Sequence, residues 1–318
     1  MALIEIDNVT RTFPNSPRPA VDGVSLSVAA GTFVTLVGPS GCGKTTLLKM
    51  VNRLYEPTSG SICVDGQDTA TVSPTTLRRH IGYVIQQTGL FPHLRIEDNI
   101  AAVPRLLKWD KARIDARVDE MLALVNLPTA YRKRYPRQLS GGEQQRVGVA
   151  RALAADPPII LMDEPFGAID AINRTRLQDE LLQIQTRLHK TILFVTHDVE
   201  EAFKLGDRIV VMREGQIAQE GGPLELVTRP ADAFVGSLIG AGDMLRRLSL
   251  LPVTTATLAS LPGDGSSAGL PAIAPTADLR NALGLLLESG APALLVQDSA
   301  GAHLGRLDFA AIRHALLL

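Results

Sequence analysis

The residues best suited to chemistry lie in Gly38-Pro39-Ser40-Gly41-Cys42-Gly43-Lys44-Thr45-Thr46, which fits G-x-x-x-x-G-K-[ST] in full. Gly38, Gly41 and Gly43 admit torsions that a Cβ opposes, and let the backbone close on an anion. Lys44 supplies a mobile point charge for β- and γ-phosphates, and the Thr45 hydroxyl is suited to bind Mg²⁺. A second segment, Ile159-Ile160-Leu161-Met162-Asp163-Glu164, ends an apolar run in two carboxylates. There Asp163 is placed to hold Mg²⁺ directly or through water, and Glu164 to polarise an attacking water. A strand ending in a solvated acidic turn is the alternative, and the phosphate loop upstream argues against it.

These groups need particular elements to position them. Phe33 to Val37 is a β-branched, apolar run that reads as a buried strand, and Thr45 to Val51 reads as the first turns of a helix. Strand, glycine-rich turn and helix aim backbone N–H groups at an anion. The acidic run suits a central parallel strand whose C-terminal end opens on a ligand crevice. Gly31 to Val51 and Pro157 to Val211 alternate strand and helix as in a parallel, doubly wound α/β core. Leu90 to Arg137 is mostly helical in pattern, while Met1 to Ala30 and Ser61 to Asp65 read as an antiparallel β layer.

Leu139-Ser140-Gly141-Gly142-Glu143-Gln144-Gln145-Arg146 resembles the signature motif of the ATP-binding cassette (ABC) family. Other family marks follow in order. Gln86 resembles the Q-loop glutamine, Asp170 the D-loop aspartate, His197 the switch histidine, and Phe13 the aromatic that stacks on adenine. The resemblance runs from about Leu3 to Leu238. It implies a P-loop NTPase cassette with a mostly parallel core sheet, flanking helices, an antiparallel β subdomain and a helical subdomain at about 90–150. It implies ATP and Mg²⁺ as ligands, Mg²⁺ being held by Thr45, Gln86 and Asp163. It also implies a head-to-tail dimer with a second copy, in which Ser140 and Gly142 donate to the γ-phosphate of the partner's ATP and Gly141, Glu143 and Asp170 lie at that site. Glu164, His197, Gln86 and Lys44 would then carry catalysis. Phe13 departs from the more usual Tyr, Ile169 from the usual Leu, and Cys42 fills a variable loop position.

One phosphate loop and one signature make this chain half of a two-chain ATP site. No heptad run of coiled-coil length is present, and no stretch reaches the ~18–20 apolar residues needed to cross a bilayer. The resemblance therefore implies separate integral membrane permease subunits and, indirectly, a periplasmic or extracellular solute-binding protein. Ile81 to His93, Ala101 to Asp115, Val147 to Pro157 and Thr228 to Ala231 resemble importer ATPases for glycine betaine, choline and related quaternary amines, especially their osmoprotectant branch. In that family the first of these segments lines the groove that receives a coupling helix of the membrane subunit. The alternatives are an importer ATPase for another small polar solute, an amino acid or an anion, and a soluble non-transport cassette protein.

After Leu238 the composition shifts, which divides the chain into an ATPase domain at 1–238, a linker at 239–272 and a tail at 273–318. Ser260 to Gly269 is rich in small residues and reads as flexible. Beyond it, Thr276 can cap a helix from Ala277 to Glu288 with Leu279, Ala282, Leu283 and Leu286 on one face, and Gly290 stops it. A strand from Pro292 to Gln297, a turn at Ser299 to Gly301, a strand from His303 to Leu307 and a helix from Asp308 to Leu316 follow. This small α+β order resembles a single CBS motif, with Leu245 to Ala259 as a worn remnant of another. A docking tail without a ligand is the alternative.

The net charge of −1, from 32 basic and 33 acidic residues, gives no electrostatic case for nucleic acid. The cluster Tyr131 to Arg137 reads as a solvated basic face. Cys42 and Cys63 show neither a disulfide framework nor zinc spacing, which fits a reducing compartment. The N-terminal residues alternate like an edge strand and lack the regions of a signal peptide. The expected location is the cytoplasmic face of the bacterial inner membrane, held there by partners.

Overall fold

The fully apolar runs seen in the sequence become the buried centre of a parallel sheet. The computed structural model describes residues 2–86, 89–167, 169–259 and 270–316, except the side chains of Ala171 and Ile172. The glycine-rich stretch Ser260 to Gly269 lies outside the described residues. The chain divides into two compact units, Met1–Gly221 and Gly222–Leu318.

In the first unit the strands are β1 (Ala2–Arg11), β2 (Val21–Ala29), β3 (Phe33–Val37), β4 (Ser59–Val64), β5 (Gln67–Asp68), β6 (Ile81–Val84), β7 (Ile159–Asp163), β8 (Thr191–Val195), β9 (Arg208–Arg213) and β10 (Gln216–Gly221). A six-stranded sheet takes the order β10-β9-β3-β8-β7-β6. Its pairs are parallel except β9 with β10. Every residue of β3, β7 and β8 is buried, as expected for strands covered on both faces. The register pairs Leu36 with Val195 and Val195 with Asp163, so the C-terminal ends of these strands emerge together. A four-stranded antiparallel sheet, β2-β1-β4-β5, supplies the expected second layer.

The helices are α1 (Lys44–Val51), α2 (Pro74–Arg79), α3 (Ile96–Ile100), α4 (Ala102–Leu106), α5 (Lys111–Leu124), α6 (Gly141–Leu153), α7 (Ala171–Leu188) and α8 (Val199–Leu205). Because successive side chains on a strand point to opposite faces, each buried strand feeds two cores. Phe33, Ile160, Met162 and Phe194 pack with Val118, Leu122, Val147 and Leu181 of the helical layer. Val34, Leu36, Leu161 and Leu193 pack with Leu47 and Leu48 of α1 and with Ile4, Leu26 and Ile62 of the antiparallel sheet.

The second unit corrects the expected domain boundaries. It begins at Gly222 rather than after Leu238, and contains α9 (Pro223–Thr228), α10 (Ala233–Ile239), α11 (Met244–Leu250), α12 (Leu279–Ser289) and α13 (Phe309–Ala315), with β11 (Ala272–Ile273), β12 (Ala293–Gln297) and β13 (His303–Asp308). The span read as linker is partly core: Leu248, Leu251, Val253 and Ala256 bury beside Leu279, Leu286, Leu294 and Leu307. Leu248 to Ala256, within the stretch read as a worn remnant of a second motif, thus shares one core with the tail. Asp278, not Thr276, caps α12, accepting from Asn281 N at 2.7 Å. Leu279 N donates to Leu251 O at 2.8 Å, which fixes the helix start two residues beyond the expected start at Ala277. Gly290 ends the helix at φ +63° as expected.

Candidate nucleotide site

Between β3 and α1, the loop Gly38 to Gly43 folds tightly enough to demand glycine. A Cβ on Gly38 would lie 2.3 Å from the Met212 carbonyl, and one on Gly43 would lie 2.3 Å from the Ala20 carbonyl. Gly43 also sits at φ +107°, where a side chain is strained. Lys44 is 4% exposed, and its Nζ donates to the carbonyls of Gly38 at 2.7 Å and Pro39 at 3.0 Å. A buried ammonium held by neutral carbonyls keeps its charge uncompensated, which suits it to phosphate. The Cys42 thiol is buried within the loop.

An open cleft of about 560 Å³ is lined by Ser40, Gly41, Gly43, Lys44, Thr45, Thr46, Gln86, Glu164 and His197. The parallel register of β3, β7 and β8 brings these three segments to one edge. Thr45 Oγ1 donates to Asp163 Oδ1 at 2.7 Å. Asp163 is 5% exposed, and burial raises its carboxyl pKa, with Glu164 adding to the rise; the Thr45 bond, Lys49 and Lys44 oppose it. One oxygen of Glu164, Oε2, receives Gln86 Nε2 at 3.1 Å and meets His197 Nδ1 at 3.0 Å. Glu164 itself occupies φ +44°, a costly conformation for a residue with a Cβ, and its N–H donates to Val195 O at 2.9 Å.

The donor set also bears on Mg²⁺. A buried carboxylate, a hydroxyl and a carboxamide oxygen (Asp163, Thr45 and Gln86) form a hard, sparse oxygen set. It suits a cation that keeps several waters and shares phosphate oxygens.

Phe13, Ser140 to Glu143 and Asp170 do not line the cleft. Phe13 packs edge-on against Tyr55 at a centroid distance of 5.2 Å, with the Arg11 guanidinium 4.8 Å from its ring centre. Ser140 caps α6 through a closed capping box: Ser140 Oγ accepts from Glu143 N at 3.3 Å, and Ser140 N donates to Glu143 Oε2 at 2.7 Å. Tyr131 Oη donates to Glu143 Oε1 at 3.0 Å. The backbone bond from Ser140 is the largest influence holding the Glu143 carboxyl pKa below its ordinary value. Asp170 caps α7, accepting from Asn173 N at 3.1 Å. Motif reading missed the supports of these groups: Arg11 and Tyr55 beside Phe13, and Arg174 and Glu201 behind His197. No spacing rule points to them, since each acts through tertiary contacts.

Residues 21–167 match the family described as ABC transporter. Over 308 residues the chain is 47% identical to the osmoprotectant import ATP-binding protein OsmV of Salmonella typhimurium, covering 95% of this chain and 78% of that protein. The chain belongs to the ABC transporter family. It is also 45% identical over 308 residues to the glycine betaine uptake system ATP-binding protein YehX of Escherichia coli, covering 96% of this chain and 98% of that one. Among solved structures, the dimeric bacterial ABC transporter cassette MJ0796 superposes with a TM-score of 0.63 at 35% identity, covering 69% of this chain and 98% of that one. A second structure of that cassette is a dimeric post-hydrolysis state bound to ADP and Pi, with a TM-score of 0.62, 34% identity and the same coverage of both chains. The family membership accounts for the α/β cassette of the first unit and for the order of its motifs.

Proposed function

We propose that this protein is the ATP-hydrolysing, energy-coupling subunit of an ABC importer for osmoprotectants such as glycine betaine, choline or related quaternary amines. The observation that carries the hydrolytic reading is the convergence of Gln86 and His197 on Oε2 of Glu164, at 3.1 and 3.0 Å, beside the phosphate loop. The two contacts fix the carboxylate's orientation and leave its other oxygen to take the proton side of an attacking water. Lys44 Nζ and the N–H groups at the start of α1 oppose the charge on the β- and γ-phosphates. Thr45, Asp163 and Gln86 would hold Mg²⁺, which when bound neutralises charge on the phosphate oxygens. Phe13 offers a ring face to adenine. Ser140 and Gly142, with Asp170 nearby, would complete the ATP site of a second copy, so two chains sandwich two ATP.

Membrane permease subunits are the partners that this reading requires, with a solute-binding protein acting through them. Among the described residues, no helix is long and apolar enough to cross a membrane. A peripheral place on the cytoplasmic face fits that partnership. A groove of about 430 Å³ lined by Ile85, Gly89, Phe91, Val103 and Leu106, among others, offers the expected seat for a coupling helix. The solute rests on kinship with OsmV and YehX. Uptake of labelled glycine betaine after osmotic upshift, in cells lacking and regaining the chain, tests the solute. Restoration by the wild-type chain, and not by Glu164→Gln, is expected. Restored uptake of an amino acid or inorganic anion alone would move the assignment to another solute. Persistent isolation of the chain from membranes, with no membrane subunit co-purifying, would favour a soluble cassette protein.

A further inference from the structure

One guanidinium stands behind both Asp170 and His197. Arg174 lies one turn into α7, past its Asp170 cap, and its Nη2 donates to the Ile169 carbonyl at 3.0 Å. Its Nη1 donates to Asp198 Oδ2 at 3.3 Å, and its Nε lies 3.9 Å from Glu201 Oε1. Glu201 is 4% exposed; its Oε2 accepts from Thr196 Oγ1 at 2.6 Å and its Oε1 from Gln178 Nε2 at 3.2 Å. Thr196 Oγ1 accepts in turn from Asp198 N at 2.9 Å, while Thr196 N donates to Leu36 O at 3.1 Å. Both chain neighbours of His197 are thus held by groups that end on Arg174. The same cation grips the carbonyl immediately before Asp170.

Resting on the two-chain ATP site read above, we propose that Arg174 is a positioning residue that ties the loop ending at Asp170 to Thr196–Asp198. Docking of a second copy against that loop is then passed to His197, and through its 3.0 Å contact to Glu164. The chemistry calls for arginine. Its planar fork points N–H groups along fixed directions, so that Nη2 bonds the Ile169 carbonyl and Nη1 the Asp198 carboxylate on a second segment, while Nε faces Glu201 on that same segment at ion-pair distance. Lysine carries the same charge but concentrates its donors at one atom, so it cannot span the Ile169 carbonyl and both carboxylates. Glu201 is buried, which makes its pairing sensitive to loss of the cation. None of these contacts involves the phosphate loop, so nucleotide binding does not depend on them.

Arg174→Lys and Asp198→Asn test the link in the full-length chain. Asn caps a helix as well as Asp, so Asp198→Asn keeps the start of α8 while removing the charge that Arg174 meets. ATP affinity without turnover, kcat at saturating ATP and thermal melting are measured for each single variant and for the double variant. Each single variant is expected to lose about tenfold or more in kcat, with ATP affinity within about twofold of wild type and an unchanged melting temperature. The double variant should be no slower than the worse single variant, because both cut one link. Wild-type kcat in either single variant, multiplicative losses in the double, or losses that track affinity or melting would overturn the proposal. Glu164→Gln is run alongside. If that variant turns over at the wild-type rate, the reading of the whole site fails and the proposal with it; if it is inactive while the Arg174 and Asp198 variants are not, the proposal alone fails.

Discussion

Replacing Glu164 by Gln changes charge and basicity while keeping shape. The carboxamide can still accept from Gln86 Nε2, whose present distance is 3.1 Å, and can still sit beside His197. The φ of +44° is retained, so the backbone strain and the folded state change little. What is lost is the proton acceptor for the attacking water. Positioned general bases contribute about 10²–10⁴ in rate, which corresponds to roughly 3–5 kcal/mol in the barrier. Lys44, Thr45 and the loop amides are untouched, so the loss falls on kcat and not on ATP affinity. Removing the neighbouring negative charge also relieves Asp163, whose carboxyl Glu164 helps to push up, so any effect on metal and ATP binding is toward tighter binding. The assay is phosphate release at saturating ATP and Mg²⁺, with ATP-dependent dimerisation followed by gel filtration. A dimer that forms with ATP and turns over at least about 100-fold more slowly is expected. A kcat within about threefold of wild type would refute the role given to Glu164.

Gly43→Ala should abolish binding of a fluorescent ATP analogue. Its Cβ would meet the Ala20 carbonyl at 2.3 Å, at φ +107°, and the loop must deform; wild-type affinity would show that the loop geometry does not set binding. Asp163→Asn should melt higher than wild type at neutral pH while losing Mg²⁺-dependent turnover. Burial raises this carboxyl's pKa in the folded state, so ionisation costs stability above the carboxylate range, and the gap should close as pH falls through it; a lower melting temperature at neutral pH counts against this reading. Glu143→Ala removes half of the capping box and should cost about 1 kcal/mol in denaturant melts at neutral pH. The folded pKa of Glu143 is depressed, so its contribution is present at neutral pH and fades as pH drops through that value; a pH-independent cost would contradict the assignment.

The phosphate loop, Asp163 and Glu164 were legible because each sits in a short motif whose residue types and spacing the chemistry dictates, whereas Gln86 and His197 were legible only through the family resemblance. The antiparallel layer and parallel core were legible from period and from apolar runs such as Ile159 to Met162. The strain at Glu164 was not, since no residue type announces a positive φ there. Arg174 and Glu201 were hidden for another reason: their contacts join residues 169–178 to residues 196–201, two segments that only the tertiary fold brings together. Residues 244–256 were misread as linker because Leu248, Leu251, Val253 and Ala256 follow no single period. They run through a short helix and a 3₁₀ turn, and burial against α12 and β12 decides their state. The cap at Asp278 illustrates the same point. Thr276 and Asp278 are both able caps, and the tertiary bond from Leu279 N to Leu251 O selects the second.

The glycines separate what this chain needs for itself from what it offers to another. Gly38 and Gly43 cannot carry a Cβ because their own chain's carbonyls stand 2.3 Å away. Gly141 has nothing within 4 Å of such a Cβ, and Gly142 only Leu177 Cδ1 at 3.7 Å, an ordinary contact. Neither has a positive φ. They open α6, where each glycine costs up to about 0.5–1 kcal/mol relative to alanine. Among the described residues nothing crowds these two positions, which fits the proposed close approach of phosphate oxygens of ATP on a second copy. Gly142→Ala is therefore expected to raise the stability of the isolated chain slightly in a denaturant melt, while weakening ATP-dependent dimerisation and slowing turnover. Unchanged dimerisation and turnover in that variant would mean that the signature backbone does not meet the nucleotide, and the half-site reading would have to be given up.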